Sequence, residues 1–230
     1  MADEYSLINV RSPRRSWDFE VNHNGAIEII SLFNQLLSPS TQDGYAEHRI
    51  SAIKSPNEGY IESAPFYYSF FKLLKDKADY PKHRIAIEEV VLFLRESLEN
   101  NCLATLSRVV NRMHGLDSVV HNHRMQNQYS IDANIVGPDE LVKLSETSDR
   151  YNAILGSDNV HEINEVFNFI TGRDLYAWFI NTKPKREDIE TVVGFDSYSV
   201  RAYLDCDGNL NDSSRGLPVR KIFKPAIKEN

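Results

Sequence analysis

An apolar stripe between residues 83 and 114 constrains this chain more than any other feature of its sequence. Hydrophobic side chains recur there at steps of three or four positions, at Ile87, Val91, Leu94, Leu98, Cys102, Leu106, Val109 and Met113. This spacing is typical of one face of an α-helix. It predicts a helix of about eight turns, and we expect one long helix at about 83–114 to organise the packing around it.

The middle and the end of the stripe qualify this prediction. Gly115 follows the last apolar position, where glycine commonly ends a helix in the left-handed conformation. Asn100 and Asn101 are a weak point, because asparagine side chains compete for backbone hydrogen bonds, and a bend or break there stays open. After Leu98 the steps no longer alternate as a coiled-coil heptad requires. We therefore expect packing within the chain rather than a long parallel dimer.

The N-terminal part of the sequence predicts short strands. We predict strands at residues 4–10 and 16–21. In the second segment apolar and charged side chains alternate, which is typical of a half-buried strand. Residues 26–37 fit two structures. They could form a hairpin strand after the Asn-Gly pair at 24–25, or a helix that Pro39 ends. We favour the helix because apolar side chains recur at helical spacing.

The remaining elements follow from periodicity and turn residues. We predict helices at 65–77, 138–155, 157–170 and 184–193, and strands at 49–54, 118–123, 130–136, 197–204 and 219–224. A turn is expected at Asp207 and Gly208, and residues 176–180 fit either strand or helix.

Together these elements predict an α+β fold. Neither an internal repeat nor a low-complexity linker divides the sequence, so we expect a single domain over residues 1–230. Short terminal strands would occupy residues 1–60, a helical centre residues 61–193, and a C-terminal β-hairpin region residues 194–230.

Composition narrows the class of protein. The chain carries a net charge of −7, which argues against wholesale binding to nucleic-acid backbones but not against a local basic patch. No apolar run approaches the roughly 20 residues that span a bilayer. Cys102 and Cys206 fit reduced thiols, although a secreted chain could pair them. We expect a cytoplasmic protein without a cofactor, and the 19 asparagines suggest a phage, a virus or a low-GC bacterium as its source.

One cluster of side chains suits a transition metal. His114, Asp117, His121 and His123 lie close together in the sequence. On a strand, His121 and His123 would face the same side, and imidazole and carboxylate groups are zinc ligands. A metal there would make the protein a metal-assisted hydrolase or nuclease. The alternative is a solvated polar loop.

Arg108, Arg112 and Arg124 form a basic group in the middle of the chain. If they converge, they could contact RNA or DNA phosphates. The alternative is that these arginines lie at the C-terminus of the predicted helix, where the helix dipole favours cations.

Tyr67, Tyr68 and Phe71 belong to an aromatic segment that carries more aromatic surface than one helix face can bury. They could form an interface, because aromatic residues anchor protein–protein contacts. The alternative is a wholly internal aromatic cluster.

No motif in the sequence names a reaction, since it contains neither a serine nucleophile elbow nor a phosphate-cradling loop. We therefore predict a non-catalytic accessory or interaction protein that acts through a protein-binding surface. Its partner would be another protein or a second copy of the chain. The metal-assisted enzyme and the RNA- or DNA-binding protein are the alternatives.

Overall fold

The computed structural model describes residues 4–9, 16–23, 26–55, 58–136, 142–143, 148–178 and 183–223. Helices and strands are both abundant there, and the strands pair in two sheets, so the fold is α+β as the sequence predicts. No helix in this part of the chain is long and apolar enough to cross a membrane.

The elements are numbered in chain order. The strands are β1 (Glu4–Asn9), β2 (Ser16–His23), β3 (Ala26–Phe33), β4 (Leu37–Ser40), β5 (Leu103–Asn111), β6 (Asp117–His121), β7 (Tyr129–Ala133), β8 (Val142–Lys143), β9 (Leu175–Trp178), β10 (Ile189–Tyr198), β11 (Arg201–Asn209), β12 (Ser214–Gly216) and β13 (Val219–Phe223). The helices are α1 (Gln42–Ala52), α2 (Ala64–Lys77), α3 (Arg84–Asn100), α4 (Ser148–Leu155) and α5 (Val160–Thr171).

The two sheets differ in size and in pairing. The smaller one is antiparallel, in the order β1-β2-β3-β13. The larger one follows the path β4-β12-β5-β10-β11-β9-β8, and β6 and β7 extend it from β5. Because β10 pairs along the whole of β5, β12 and β6 share the other edge of β5, at Leu103 and Arg108 respectively.

Helices α2, α3 and α5 pack together against the larger sheet and bury an aromatic core. The ring of Phe71 in α2 lies 5.9 Å from those of Phe167 in α5 and Phe195 in β10. Tyr67, Tyr68 and Phe71 are 1%, 4% and 0% exposed. The structure therefore places these three residues in the core rather than at the predicted interface, because α2 is covered on more than one side.

The apolar stripe folds as two elements, so the predicted helix at 83–114 is not confirmed beyond Asn100. Nδ2 of Asn100 donates to the carbonyl of Glu96 at 2.7 Å, and Nδ2 of Asn101 donates to that of Ser97 at 3.0 Å. These bonds satisfy carbonyls that the last turn leaves free, and Asn101 is already extended. The strand that follows, β5, is buried on one face and largely buried on the other. Apolar residues therefore occur on both of its faces, and Leu106 and Val109 continue the three- or four-residue spacing of the helix by coincidence.

Three other predicted elements differ from the structure. Residues 26–37, for which we favoured a helix, contain β3, which pairs with β2 along its length. Its isoleucines are β-branched and suit a strand. Residues 49–54, predicted as a strand, lie largely in α1, and residues 184–193, predicted as a helix, lead into β10.

The C-terminal hairpin also turns at a different place. Asp207 and Gly208 lie within β11, and the connection between β10 and β11 passes through Ser199, whose φ is 56°. The pairing of Thr191 with Asn209 shows that β11 continues past the predicted turn.

Several elements are confirmed. The predicted helices at 65–77 and 157–170 correspond to α2 and α5, and the strands at 118–123 and 130–136 correspond to β6 and β7. The predicted helix at 138–155 lies partly outside the described residues. Its last part is α4, but Val142–Lys143 form the strand β8, which pairs with β9, so the helix prediction is wrong there.

Candidate functional site

An open cleft of about 1160 Å³ lies between α1, the start of α2 and the loop that follows β6. We call it the α1–α2 cleft, and Arg49, Glu62, Phe66, Asn122 and Lys221 are among the residues that line it. Small-molecule pockets are usually roughly 300–1,000 Å³. The size and openness of the cleft favour a segment of a polymer over a small ligand.

A buried ion pair lines the α1–α2 cleft. Nη2 of Arg49 donates to Oε1 of Glu62 at 2.7 Å, and the guanidinium lies over the ring of Tyr60, 5.1 Å from its centroid. Nε and Nη1 of Arg49 are buried and have no hydrogen-bond partner among the residues that the structure describes. Buried donors without partners cost free energy, so Arg49 has hydrogen-bonding capacity left for an anionic group.

Helix α1 is held against β5 by its own buried face. Nε2 of Gln42 donates to the carbonyls of Thr105 and Ser107, both at 3.0 Å. The N-terminus of the helix is capped by Thr41, whose side chain accepts from the amide of Gly44. Arg49 lies about two turns further along the same face, so the docking of α1 determines where the guanidinium lies.

The loop after β6 forms one wall of the cleft. Its backbone is left-handed at Asn122 (φ 55°) and Arg124 (φ 59°), and the amide of His123 donates to the carbonyl of Leu106 at 3.0 Å. Nε2 of His123 and Nη2 of Arg124 both contact the carboxylate of Asp43, at 2.8 and 2.9 Å. Asp43 therefore ties this loop to α1.

The protonation states of His123 and Asp43 follow from their surroundings. The hydrogen bond from His123 lowers the pKa of Asp43 below its usual value. Burial lowers the pKa of His123, and this effect outweighs the opposing effect of Asp43. At neutral pH, a neutral imidazole therefore donates to an ionised carboxylate.

The walls of the α1–α2 cleft are apolar and cationic. Ile50 and Ile53 line it and are 45% and 46% exposed. Nζ of Lys221 lies 4.8 Å from the centre of the Phe66 ring. Grouped exposed apolar side chains mark binding surfaces more often than scattered ones do.

The cleft differs in charge from the chain as a whole. The charged residues that line it are Arg49, Lys54, Glu62, Arg124 and Lys221, four cations and one anion. The whole chain carries a net charge of −7. The ion pairs Arg49–Glu62 and Arg124–Asp43 offset two of these cations. Lys54 and Lys221 carry the remaining positive charge of the lining, which attracts an anionic partner.

Two of the four residues predicted to bind a metal, His114 and Asp117, lie in surroundings that do not suit a shared metal site. His114 is exposed. Asp117 is buried, and its carboxylate accepts from the amides of Arg112 and Ile135 at 2.9 and 3.1 Å and pairs with Lys183. These contacts give Asp117 a structural part in joining three segments.

The other two residues of that cluster are the histidines. Nδ1 of His121 accepts from Oγ of Ser107 at 2.7 Å, and Nε2 donates to the carbonyl of Ala153 at 2.9 Å. Burial lowers the pKa of His121, and His123 contacts Asp43 instead. In the described part of the chain, no group of three or more His, Cys, Asp or Glu side chains could hold a metal ion.

The three arginines predicted to contact nucleic acid each face a carboxylate. These ion pairs are Arg108–Glu190, Arg112–Asp188 and Arg124–Asp43. Of the three, Arg124 lines the α1–α2 cleft. The paired carboxylates compete with phosphate for the guanidinium groups.

Sequence analysis did not single out Arg49 or Glu62. The available signal was the helical spacing of the buried face of α1, which includes Gln42, Tyr45 and Arg49. A helix assigned to this segment would have placed Arg49 among buried residues, where a guanidinium needs a partner.

Comparison with protein-family models, with characterised proteins and with solved structures finds no match to this chain. The fold and the site define an α+β protein with an open cleft that is apolar and cationic. The functional argument therefore rests on the geometry of the cleft.

Proposed function

We propose that this is a non-catalytic interaction protein that binds a segment of a partner protein in the α1–α2 cleft. The observation that carries the proposal is the combination of exposed aliphatic and cationic side chains in one large cleft, represented by Ile50, Ile53 and Lys54. Apolar surface supplies affinity, and flanking charges supply orientation and partner choice. The two free cysteines, Cys102 and Cys206, support a cytoplasmic setting.

Binding of RNA or DNA is the weaker candidate. Single-stranded nucleic acids stack their bases on aromatic platforms along a basic groove. Here the exposed large apolar side chains of the lining are Ile50, Ile53 and Tyr129. Two of the three are aliphatic, which suits the side chains of a peptide better than a run of stacked bases. Arg108 and Arg112 are engaged by Glu190 and Asp188 outside the cleft lining.

An enzymatic role for the buried Ser107–His121 pair is also weaker. The hydroxyl and the imidazole resemble a nucleophile and its base, but these residues are 0% and 1% exposed. Oγ of Ser107 also accepts from the amide of Ala64 at 2.9 Å, and His121 is held by Ala153. We assign this pair a structural role.

A crosslinking experiment tests the proposal. A photoreactive amino acid at Ile53 in the cleft is compared with one at Val200, which is 75% exposed in the β10–β11 connection. In an extract of the source cells, a defined partner should crosslink from position 53 and not from position 200. The purified partner should then bind Ile53→Asp at least about 10-fold more weakly than wild type, equivalent to about 1.4 kcal/mol.

The matched control is Leu92→Asp, an exposed position on α3. Equal affinities of wild type and Ile53→Asp for the purified partner would contradict binding in the cleft. Crosslinking of the chain to itself from position 53 would identify a second copy as the partner.

A further inference from the structure

We propose that Arg49 is the receptor for a carboxylate of the partner, so that the cleft recognises an acidic residue next to apolar ones. This inference rests on the proposed function and names the chemistry of the segment that is bound. Its basis is an ion pair that uses only part of the guanidinium, between Nη2 of Arg49 and Oε1 of Glu62.

The unused hydrogen-bonding groups point to a peptide. Nε and Nη1 of Arg49 are buried donors without a partner, and Oδ1 of Asn122 is a buried acceptor without a partner, among the described residues. Both residues line the α1–α2 cleft. A peptide supplies both complements, a side-chain carboxylate for the guanidinium and a backbone N–H for the amide oxygen. A free phosphate or the backbone of DNA offers chiefly acceptors.

The surroundings of Arg49 specify what accompanies the carboxylate. Exposed Ile50 directly follows Arg49 in the sequence, exposed Ile53 lies four positions after it, and both line the same cleft. Lys54 and Lys221 add positive charge to its walls. The segment that fits therefore carries an Asp or Glu within a few residues of Leu, Ile, Val or Phe, and a low density of positive charge.

The test is a selection from a random 12-residue peptide display library against the purified full chain. Enriched peptides whose binding is lost in Ile53→Asp are synthesised in two forms, with the acidic residue intact and with it replaced by Asn or Gln. The amide form should bind wild type about 10-fold more weakly. In the Arg49→Gln/Glu62→Gln variant, which removes both charges together, this discrimination should disappear.

The matched control is Arg84→Gln/Glu88→Gln, which removes an ion pair of the same type from the exposed face of α3. It should keep the full discrimination between acid and amide peptides. If the double variant in the cleft does not fold, the side-chain ¹⁵Nε signal of Arg49 in the wild-type protein keeps the test decisive. It should shift when the acidic peptide is added and stay in place when the amide form is added. An Arg49 signal that the bound acidic peptide does not move would overturn the role of Arg49.

Two outcomes separate this inference from the proposed function. Peptides that bind in the cleft without an acid preference, or an acid preference that persists in Arg49→Gln/Glu62→Gln, would overturn the role of Arg49 and leave the cleft as a binding site. Enriched peptides that all bind Ile53→Asp as well as wild type would overturn both.

Discussion

Arg49 and Glu62 form an ion pair with an N–O distance of 2.7 Å between side chains that are 8% and 4% exposed. The pair joins the last turn of α1 to the segment that precedes α2, and it lines the α1–α2 cleft. Burying two charges is costly unless their remaining hydrogen-bonding groups are satisfied. Nε and Nη1 of Arg49 have no hydrogen-bond partner within the described residues, and in the proposed function a carboxylate of the partner supplies one.

Removal of one member of this pair should be strongly destabilising. Arg49→Met leaves the Glu62 carboxylate buried without its partner, with an expected cost of about 3–5 kcal/mol. The double variant Arg49→Met/Glu62→Leu should lose less than the sum of the two single variants. Urea denaturation of all four proteins measures this coupling. The Arg84–Glu88 pair, whose side chains are 72% and 62% exposed, should show a much smaller coupling because solvent screens it. Additive losses at Arg49 and Glu62 would contradict the account.

Asp117→Ala should destabilise the protein through lost hydrogen bonds. The substitution removes the acceptor for the buried amide of Ile135 and for that of Arg112, at about 1–3 kcal/mol for each unsatisfied group. Denaturant midpoints check the loss, with the exposed Asp132 as the control. A midpoint for Asp117→Ala equal to that of Asp132→Ala would show that the carboxylate has no structural part.

Phe71→Ala should act on folding rather than on association. Phe71 is 0% exposed and contacts Phe167 and Phe195, so its truncation should cost about 3–5 kcal/mol. Ile85→Ala, at a position that is 74% exposed on α3, should change stability by less than about 0.5 kcal/mol. Phe71→Ala with unchanged stability and a changed oligomeric state would restore the interface interpretation.

Stability should fall on acidification, partly because of His121. Burial lowers its pKa from the unfolded value of 6.5, so the unfolded chain binds a proton at a pH where the folded chain does not. The resulting stabilisation is fully present above about pH 6.5 and is lost as the pH falls through the folded value. Urea midpoints between about pH 5 and 7 should therefore vary less in His121→Gln than in wild type. His161→Gln, at a side chain that is 84% exposed, should keep the wild-type slope, and an identical slope in His121→Gln would contradict the assignment.

Local sequence signals predicted correctly those helices whose ends carry a proline or a glycine. Pro65 near its start predicted α2, and Gly172, with φ 74°, ends α5. The prediction of one helix at 83–114 was wrong beyond Asn100, because periodicity alone does not distinguish a helix from a strand that is buried on both faces. Asn100 and Asn101 marked the boundary, since they were the predicted weak point and they terminate α3.

The α1–α2 cleft could not be predicted because its residues are brought together by tertiary pairing. Lys221 reaches it through β13, which pairs with β3, while Asn122 follows β6 at the edge of β5. Each of these residues is an ordinary polar side chain in its own segment. Their proximity depends on contacts between segments far apart in the chain, which short-range patterns do not encode.

The most direct test of the account is amide chemical-shift mapping of the ¹⁵N-labelled protein with its crosslinked partner or a selected acidic peptide. We expect the largest changes at residues 49–54 and 122–129, which line the cleft, and small changes at Ile85 and Leu92 on the exposed face of α3. Large changes on α3 or at Tyr198 and Val200, with the cleft signals unmoved, would contradict the central claim that the protein acts through the α1–α2 cleft.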